Sequence, residues 1–583
     1  MKRCPQCNRV ETDEALKFCR VDGATLASDS SSIRSEAGTA QLGSSGNASE
    51  VHTSILPHKT AADISRPTGP TTTLPPQTPS TTGALAKPKS RTPIVIALVG
   101  SGLFVAVIVV IGAYLYSAHK SGTAIDSIAV LPFNNQNNDA EAEYLSDGLA
   151  ESLIYRLSQL PNLKVSPTSS VIRYKGKQTD VKSIAGELGV SSVLTGRILK
   201  RDDSLMISVE LVDVRNNKLL WGEQYDRKMS DLLATQREIA TAITQKLQLK
   251  LAGDEKGITK KYTNSNEAYQ LYLKGRHHFA RRTKDDVEKA IESYEQAIKL
   301  DPNFALAYAR LAEVYNQMPA YPYLSPQKAF PQAKAAATRA LELDPNLSEA
   351  HTALGNTLAA YDWNWAEAER EFKRALELDP NSAAAHFRYG QLYLAATGQL
   401  DAAIAEMNRG LEIEPLDANM AATPSWWMSA LGQGGKALEL ARKSYDLDPN
   451  HPVARNVLTQ VYMHNGMQAE ALAFIERSPQ LGPNRQWELQ NLGIAYAKLG
   501  RRAEAGVVIN EFKSISRTQY VMSYYVATIH TALGERDNAF VELEKALLAR
   551  DWRLLWLKSD PFLNAIRDDP RFKDLLRRMN LPE

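Results

Sequence analysis

The chain has few cysteines and almost no net charge. Its 583 residues include three cysteines, all within the first nineteen positions, so no disulfide framework supports the rest. There are 68 lysine and arginine residues against 66 aspartate and glutamate residues, and this balance gives no sign of a nucleic-acid-binding surface. Met1–Arg20 is polar and does not resemble a cleavable signal peptide. A chain of this length should fold as several domains.

Signatures of catalysis are also missing. No kinase, cyclase, protease or hydrolase motif occurs in the sequence. The run Gly432–Lys436 is rich in glycine, but it lacks the spacing of a phosphate-binding loop, and no strand is expected before it. We interpret it as a turn between helices. His277 and His278 are adjacent, point to different faces of a helix and make a poor metal pair. We therefore expect a protein that is not an enzyme.

One tetrapeptide recurs through the second half of the chain. Leu-Asp-Pro-Asn begins at Leu300, Leu343, Leu378 and Leu447, and degraded copies begin at Ile413 and Leu481. Successive prolines are 43, 35, 35, 34 and 34 residues apart, a period typical of a solenoid of helix pairs. Proline stops one helix because it lacks an N–H and clashes with the preceding turn, and it suits the first turn of the next helix.

Small and aromatic residues recur upstream of each proline. Ala290, Tyr294 and Ala297 lie on one helix face, and a glycine such as Gly398 follows the earlier helix of the unit. These residues resemble the tetratricopeptide repeat family. The resemblance implies an all-α solenoid that binds extended peptides or helices of other proteins in its groove.

The array should contain about eight copies between residues 266 and 550. Trp552–Pro582 is predicted to form a capping helix pair, which a solenoid needs to close its exposed end. We place the solenoid and its cap at residues 266–583.

Two groups of aromatic residues are candidate partner-binding residues. Met318–Pro331 stretches one repeat and carries Tyr321 and Tyr323; it is either a loop on the binding side or a long turn. Four tryptophans could anchor a bound peptide in the concave groove, or could instead form the core between repeats. They are Trp363, Trp365, Trp426 and Trp427.

One segment is long and apolar enough to cross a membrane. Residues 93–116 carry no charge and would span a hydrocarbon core of about 30 Å as a helix. Three basic residues between 87 and 91 precede the span, whereas only His119 and Lys120 follow it closely. The positive-inside rule predicts a single-pass protein of a bacterial inner membrane. Its N-terminus is then cytoplasmic, and the residues after 117 are extracytoplasmic.

The first 26 residues contain a candidate zinc site. Cys4, Cys7, Cys19 and Asp22 offer three thiolates and a carboxylate, a reasonable tetrahedral set for a structural zinc ion. The pattern resembles the short zinc ribbons that begin many bacterial membrane proteins, although a cysteine is commoner than Asp22 at the fourth position. A water ligand, no metal at all, or a redox Cys-x-x-Cys are the alternatives. Residues 27–92 are rich in Ser, Thr, Pro and Gly and should form a disordered linker.

Residues 125–250 change in character. The apolar run Ile125–Phe133 predicts a strand, and leucines at intervals of four from Leu145 to Leu157 predict a helix. Alternation over Leu205–Leu211, between two polar turns, predicts an antiparallel meander with one buried face. We predict a compact α/β domain.

Four motifs in this domain resemble the TolB amino-terminal-like domain. The resemblance implies a module that binds a ligand, peptide or partner. In bacteria such domains often lie between a membrane helix and tetratricopeptide repeats, in sensor kinases and cyclase-associated proteins. The motifs are AVLPF at 129–133, SDGLAESL at 146–153, LTGRI at 194–198 and LLWGEQYDR at 219–227.

The sequence therefore predicts a multidomain chain with a zinc ribbon, one transmembrane helix, an α/β domain and an all-α solenoid. Its expected function is that of a membrane-anchored scaffold or signalling adaptor that binds other proteins or peptides. The alternative is a membrane-bound regulator whose cytoplasmic zinc ribbon contacts nucleic acid or the transcription machinery. The short tip carries few basic residues, so nucleic-acid binding is the weaker expectation.

Overall fold

The computed structural model describes residues 125–581, except residue 138 and residues 140–141, 161–162, 178–179, 248–259 and 478–484. Before residue 125 it describes only three two-residue strands, β1 (Lys2–Arg3), β2 (Val10–Glu11) and β3 (Ala27–Ser28), which form an antiparallel sheet in the order β2-β1-β3. The zinc ligands, the linker and the apolar span at 93–116 lie outside the described residues. Among the residues that are described, no helix is long and apolar enough to cross a membrane.

The α/β domain contains a mixed sheet with helices packed against it. The strand order is β6-β4-β7-β8-β9, and the short strand β5 also pairs with β7. Strand β4 runs parallel to β6 and β7, whereas β7, β8 and β9 form the antiparallel meander that the sequence predicts. The strands are β4 (Ser127–Val130), β5 (Asn134–Asn135), β6 (Lys164–Val165), β7 (Ser192–Arg201), β8 (Ser204–Asp213) and β9 (Lys218–Lys228). The helices are Glu143–Ser158, Thr168–Val171, Val181–Leu188 and Leu232–Lys246.

Alternation along β8 explains why the sheet has one buried face. Leu205, Ile207, Val209 and Leu211 are all buried, and the residues between them are not. Successive side chains of a strand point to opposite faces, so this pattern turns one face of the meander toward the helices.

Eight helix pairs follow, as the repeat count predicts. The pairs are numbered 1 to 8 here: 266–281 with 284–300; 305–317 with 326–343; 348–362 with 365–378; 383–394 with 400–413; 418–430 with 434–447; 452–464 with 468–477; 485–498 with 502–515; and 523–532 with 536–548. The first helix of pair 3 ends in a π-helical turn, Leu358–Asp362, and that of pair 4 ends in another, Tyr389–Leu394.

The recurring tetrapeptide terminates the second helix of its pair. In pair 1 the helix ends at Leu300, and the side chain of Asp301 accepts a 3.0 Å hydrogen bond from the backbone N–H of Asn303. Asp344, Asp379 and Asp448 make the same bond in their pairs. An aspartate that binds the backbone two residues on stabilises a turn, and the intervening proline prevents the helix from continuing.

Two predicted details of the array are wrong. The insertion at 318–331 is shorter than predicted, because the second helix of pair 2 begins at Pro326 and contains Pro331. Residues 552–582 do not form a capping helix pair. The C-terminal segment (551–581) contains two 3-10 turns, Trp552–Trp556 and Pro561–Ile566, and one helix, Pro570–Arg578.

The C-terminal segment packs against the middle of the array. The indole of Trp365 in pair 3 donates a 2.8 Å hydrogen bond to the backbone carbonyl of Met579. The hydroxyl of Ser559 donates a 3.0 Å bond to the carbonyl of Ala395 in pair 4. The segment therefore covers pairs 3 and 4 as well as the last repeat.

The α/β domain and the first repeats share one hydrophobic core. At Gly148 an added Cβ would lie 2.9 Å from Leu273, so the helix Glu143–Ser158 approaches the first helix of pair 1 closely. Arg276 and Glu151 form a 2.8 Å ion pair at this contact. The domain and the solenoid are joined through this interface as well as through the chain.

Candidate functional site

A cavity of about 790 Å³ lies on the inner side of the array. We call this space the central cavity. Three parts of the chain form its wall: the α/β domain, the repeats and the C-terminal segment. The repeat residues in the wall lie on the first helices of pairs 1 to 7 or in the turns beside them, except Leu447, which ends the second helix of pair 5. The α/β domain contributes Ser169, Ile172, Arg173 and Lys177; the C-terminal segment contributes Trp552, Arg553 and Trp556; and the pairs contribute, among others, Arg282, Gln317, Tyr321, Asn356, Arg388, Gln391, Asp417, Asn419, Trp426, Trp427, Asp448, His451, Asn456, Gln460 and Trp487.

Aromatic rings form one side of the central cavity. The ring centroids of Trp426 and Trp427 are 4.1 Å apart, and that of Trp556 lies 6.0 Å from Trp426 and 5.7 Å from Trp427. The guanidinium of Arg553 lies 4.7 Å from the Trp556 ring centroid. Residues of pair 5 and of the C-terminal segment are thus held together by edge-to-face and tilted ring contacts and by a cation–π contact.

Most cations of the cavity wall have no acidic partner at contact distance; the exception is Arg281, which lies 3.6 Å from Asp286. Arg282 donates to the side-chain oxygen of Gln317, and Arg388 donates a 3.0 Å bond to that of Gln391. Arg553 is only 9% exposed, yet its Nε and one Nη have no hydrogen-bond partner. None of these three, nor Arg173 or Lys177, forms an ion pair within the described part of the chain.

The two acidic side chains in the wall accept hydrogen bonds from backbone N–H groups. Asp417 accepts a 2.8 Å bond from the N–H of Met420, and Asp448 accepts a 3.0 Å bond from that of Asn450. Burial, together with the positive charge of Arg282, lowers the pKa of Arg388, although Glu313 opposes the shift. The cavity therefore carries an excess of positive charge that is partly removed from water.

A carboxyl group beside the cavity joins the α/β domain to pair 4. Glu414 accepts a 2.8 Å hydrogen bond from the hydroxyl of Ser169. Burial, together with the nearby charge of Asp417, raises the pKa of Glu414 to about 7, although the bond from Ser169 acts in the opposite direction. This contact is therefore sensitive to pH near neutrality.

Several buried polar atoms of the wall have no hydrogen-bond partner. Buried polar groups are normally paired, and an unpaired one is destabilising unless a ligand or water satisfies it. All but one of these atoms are nitrogens. They are Arg173 Nε, Asn356 Oδ1, Trp426 Nε1, Trp427 Nε1, His451 Nδ1, and Nε and Nη2 of Arg553.

The structure separates the predicted partner-binding residues into two groups. Tyr321 is half-buried in the cavity wall with its ring 5.9 Å from that of Trp487, and Tyr323 donates a 2.8 Å bond to the carbonyl of Arg282. Trp426 and Trp427 also line the cavity, although both are buried. A partner-binding role for these four residues stays a prediction.

Trp363 and Trp365 do not line the cavity. They are 4% and 8% exposed, and the chain's own C-terminal segment covers them. From this segment Asn580 donates a 3.4 Å bond to the carbonyl of Trp363, and the Trp365 indole binds the Met579 carbonyl. The guanidinium of Arg550, just before the segment, lies 3.7 Å from the Trp363 ring centroid. Their burial agrees with the second of the two readings that the sequence leaves open, packing in the core, and a partner-binding role for them stays a prediction.

No metal site is found in the described residues, where no group of three or more His, Cys, Asp or Glu could hold an ion. The predicted zinc ligands Cys4, Cys7, Cys19 and Asp22 lie outside those residues, so zinc binding stays a prediction. His277 contacts Asp147 at 3.0 Å and His278 contacts Asp286 at 3.0 Å, so each contacts a different carboxylate. Gly432 has a φ of 75° and forms a turn, as expected.

The sequence did not single out the arginines of the cavity. Arg282, Arg388 and Arg553 come from pair 1, pair 4 and the C-terminal segment, and they belong to no shared motif. The one local signal in the sequence is a cation at the inner face of a first helix, as at Arg388. This signal does not identify the cavity, because many exposed arginines in the array occur in a similar pattern.

Family comparisons match both the α/β domain and part of the repeat array. Residues 124–242 match the second domain of HilA/YgeH-like transcriptional regulators. Residues 280–318 match a TPR repeat, and residues 364–423 and 429–492 match the tetratricopeptide repeat. The array is thus a tetratricopeptide-repeat solenoid, a fold that binds other proteins or peptides.

Two curated relatives match part of the chain. A putative adenylate cyclase 3 of Rhizobium meliloti (strain 1021) is 34% identical over 187 residues, which cover 32% of each protein. The transcriptional regulator HilA of Salmonella typhimurium is 28% identical over 234 residues, or 39% of this chain and 40% of HilA. The chain thus spans about a third to two-fifths of these relatives.

Among solved structures, one match is to the type IV pilus biogenesis factor PilW. The match covers 41% of this chain and 98% of the PilW chain, with 20% identity and a TM-score of 0.30. Another match is to Pseudomonas aeruginosa PilF. It covers 37% of this chain and 93% of the PilF chain, with 18% identity and a TM-score of 0.28.

Proposed function

We propose that this chain is a non-catalytic scaffold or signalling adaptor that holds an extended segment of a partner protein in the central cavity. The observation that carries the proposal is the construction of the cavity wall. Seven successive pairs contribute residues from their first helices, and the α/β domain and the C-terminal segment complete the wall. A mixture of aromatic faces and a few convergent polar groups is typical of a binding site.

Cross-linking in living cells tests this proposal. A photoreactive benzoylphenylalanine would replace Asn419, in the cavity wall, and separately Glu412, on the second helix of pair 4, where it is 65% exposed. We expect position 419 to cross-link one defined segment of one partner, identified by mass spectrometry, and position 412 not to do so. Cross-links to that partner from position 412 alone would overturn the proposal.

We further propose that the chain is anchored in a bacterial inner membrane by residues 93–116. The support is the uncharged apolar run itself and the excess of basic residues before it. A cysteine at Ser121, in a chain with Cys4, Cys7 and Cys19 replaced by serine, should react with a membrane-impermeant maleimide in intact cells. Reaction only after the inner membrane is breached would reverse the orientation. A zinc ion held by Cys4, Cys7, Cys19 and Asp22 would order the cytoplasmic tip.

A regulator is the second candidate function. The match of residues 124–242 to a domain of transcriptional regulators favours it, as does the partial identity with HilA. In this case the N-terminal tip would contact nucleic acid or the transcription machinery. Salt-dependent DNA binding by the full chain would support this candidate, and no binding at low salt would remove it.

The name of the rhizobial relative raises adenylate cyclase activity as a competing possibility. We propose that the full chain forms no cyclic AMP from ATP. Formation of cyclic AMP by the purified chain would contradict the non-catalytic assignment.

A further inference from the structure

The wall of the central cavity carries four arginines that have no counter-ion at contact distance within the described residues. Arg173 belongs to the α/β domain, Arg282 and Arg388 to the repeats, and Arg553 to the C-terminal segment, yet all line one space. Elsewhere in the array many cations do make short ion pairs, as Arg339 does with Glu342 and Arg374 with Glu377. Buried cations are normally paired, so the excess at the cavity indicates an anionic occupant.

The unpaired atoms of the wall indicate the same chemistry. The indole nitrogens of Trp426 and Trp427 can only donate, and so can the free nitrogens of Arg553. Donors that lack partners call for a ligand rich in acceptors, and a carboxylate offers two oxygens with several lone pairs. A free phosphate ion and the carboxylates of a peptide satisfy this requirement equally. The size of the cavity, compared with the size of each ligand, must therefore distinguish them.

The cavity is larger than a small anion needs. Its volume of about 790 Å³ is in the range of pockets that hold a drug-sized ligand. Its wall closes around the occupant, because the ring of Tyr321 in pair 2 lies 5.9 Å from that of Trp487 in pair 7. An extended peptide presents side chains and carbonyls along its whole length. Amide side chains suited to peptide groups occur in the wall, at Asn356, Asn456 and Gln460.

We infer that the occupant of the central cavity is an acidic peptide segment. Its carboxylates would bind Arg282, Arg388 and Arg553, and its apolar side chains would pack against Trp426 and Trp556. This inference rests on the proposed function and names the chemistry of the partner segment.

Binding of synthetic peptides to the full chain tests the inference. The probes are a ten-residue peptide of alternating glutamate and alanine, its counterpart with glutamine for glutamate, and inorganic phosphate. Fluorescence anisotropy of the labelled peptides gives the dissociation constants. We expect the acidic peptide to bind at least about tenfold more tightly than the glutamine peptide, because charge-assisted bonds to arginine are roughly twice as strong as neutral ones.

Variants locate the site. Arg388→Met should weaken binding of the acidic peptide about tenfold or more, and Arg282→Met should act in the same direction if Arg388→Met fails to fold. The matched control is Arg374→Met, because Arg374 lies on the second helix of pair 3 and already pairs with Glu377 at 3.1 Å. We expect the control to bind normally.

Two outcomes would overturn the inference. One is equal binding of the acidic and glutamine peptides. The other is saturation of the same arginines by inorganic phosphate at the concentrations at which the acidic peptide binds, which would indicate a site for free small anions. If cross-linking from position 419 still captures a partner segment, only this inference fails. If no partner segment enters the cavity, the proposed function fails with it.

Discussion

The indole Nε1 of Trp556 donates a 2.9 Å hydrogen bond to the backbone carbonyl of Gln391, which lies 165 residues earlier in the chain. Gln391 belongs to the π-helical turn that ends the first helix of pair 4, and Trp556 belongs to the C-terminal segment. The cavity wall includes both residues. The central cavity is therefore complete only when the C-terminal segment is docked on pairs 3 and 4.

The hydroxyl of Ser559 contributes to docking of the C-terminal segment, and its removal should weaken that docking. Ser559→Ala removes the buried bond to the carbonyl of Ala395 and leaves that carbonyl without this donor. We expect the free energy of unfolding to fall by about 1 kcal/mol, measured from urea unfolding curves. Ser293→Ala is the control, because the exposed hydroxyl of Ser293 binds a carbonyl of its own helix. An equal effect of the two substitutions would show that the docking bond contributes nothing specific.

A single methyl group should disturb the contact between the α/β domain and the repeats. Gly148→Ala places a Cβ 2.9 Å from Leu273, so we expect a loss of about 1–3 kcal/mol in the free energy of unfolding. Gly186→Ala is the matched control, because Gly186 is also inside a helix of that domain and has open space around it. The control should be neutral or stabilising by up to about 1 kcal/mol. Thermal unfolding of both variants measures the difference, and a neutral Gly148→Ala would contradict the close packing.

The stability of the folded chain should depend on Glu414 near neutral pH. The pKa of this carboxyl rises from 4.5 to about 7 on folding, so the folded chain binds more protons than the unfolded chain in this window. The stability contributed by Glu414 is therefore present below pH 4.5 and is lost as the pH rises toward 7.

Glu414→Gln keeps an acceptor for Ser169 but cannot ionise. At pH 8 it should be more stable than the natural chain by about 2–3 kcal/mol, because the pKa of the carboxyl rises from 4.5 to about 7 and one pKa unit corresponds to about 1.4 kcal/mol. At pH 4 the two should differ little. Glu412→Gln, at an exposed position of the same helix, should show no such pH dependence. Urea unfolding at the two pH values provides the measurement, and a constant difference between them would contradict the shifted pKa.

Local features of the fold were predictable because they rest on short-range physics. Asp301 and Pro302 end a helix through bonds within a few residues, and the alternation from Leu205 to Leu211 fixes the buried face of a strand. Packing between distant segments leaves no such signal. Nothing near Trp365 indicates that its partner is Met579, 214 residues away, and so the sequence left open whether Trp365 is exposed or buried.

The candidate site was predictable only in part for the same reason. Tyr321, Trp426 and Trp427 stand out as unusual aromatics on their own helices or turns, and all three line the cavity. Arg282, Arg388 and Arg553 become neighbours of one cavity only through the curvature of the array and the docking of the C-terminal segment. The boundary between the α/β domain and the solenoid was placed from composition, which cannot reveal that the two parts share a core.

The most direct test of partner binding inside the central cavity is hydrogen–deuterium exchange of the full chain. The exchange would be compared with and without a synthetic peptide of the partner segment captured from position 419. We predict slower exchange in the first helices of pairs 5 and 6, residues 418–430 and 452–464, and in residues 552–556. Protection confined to the second helices of those pairs, residues 434–447 and 468–477, would place the partner on the opposite face and contradict the account.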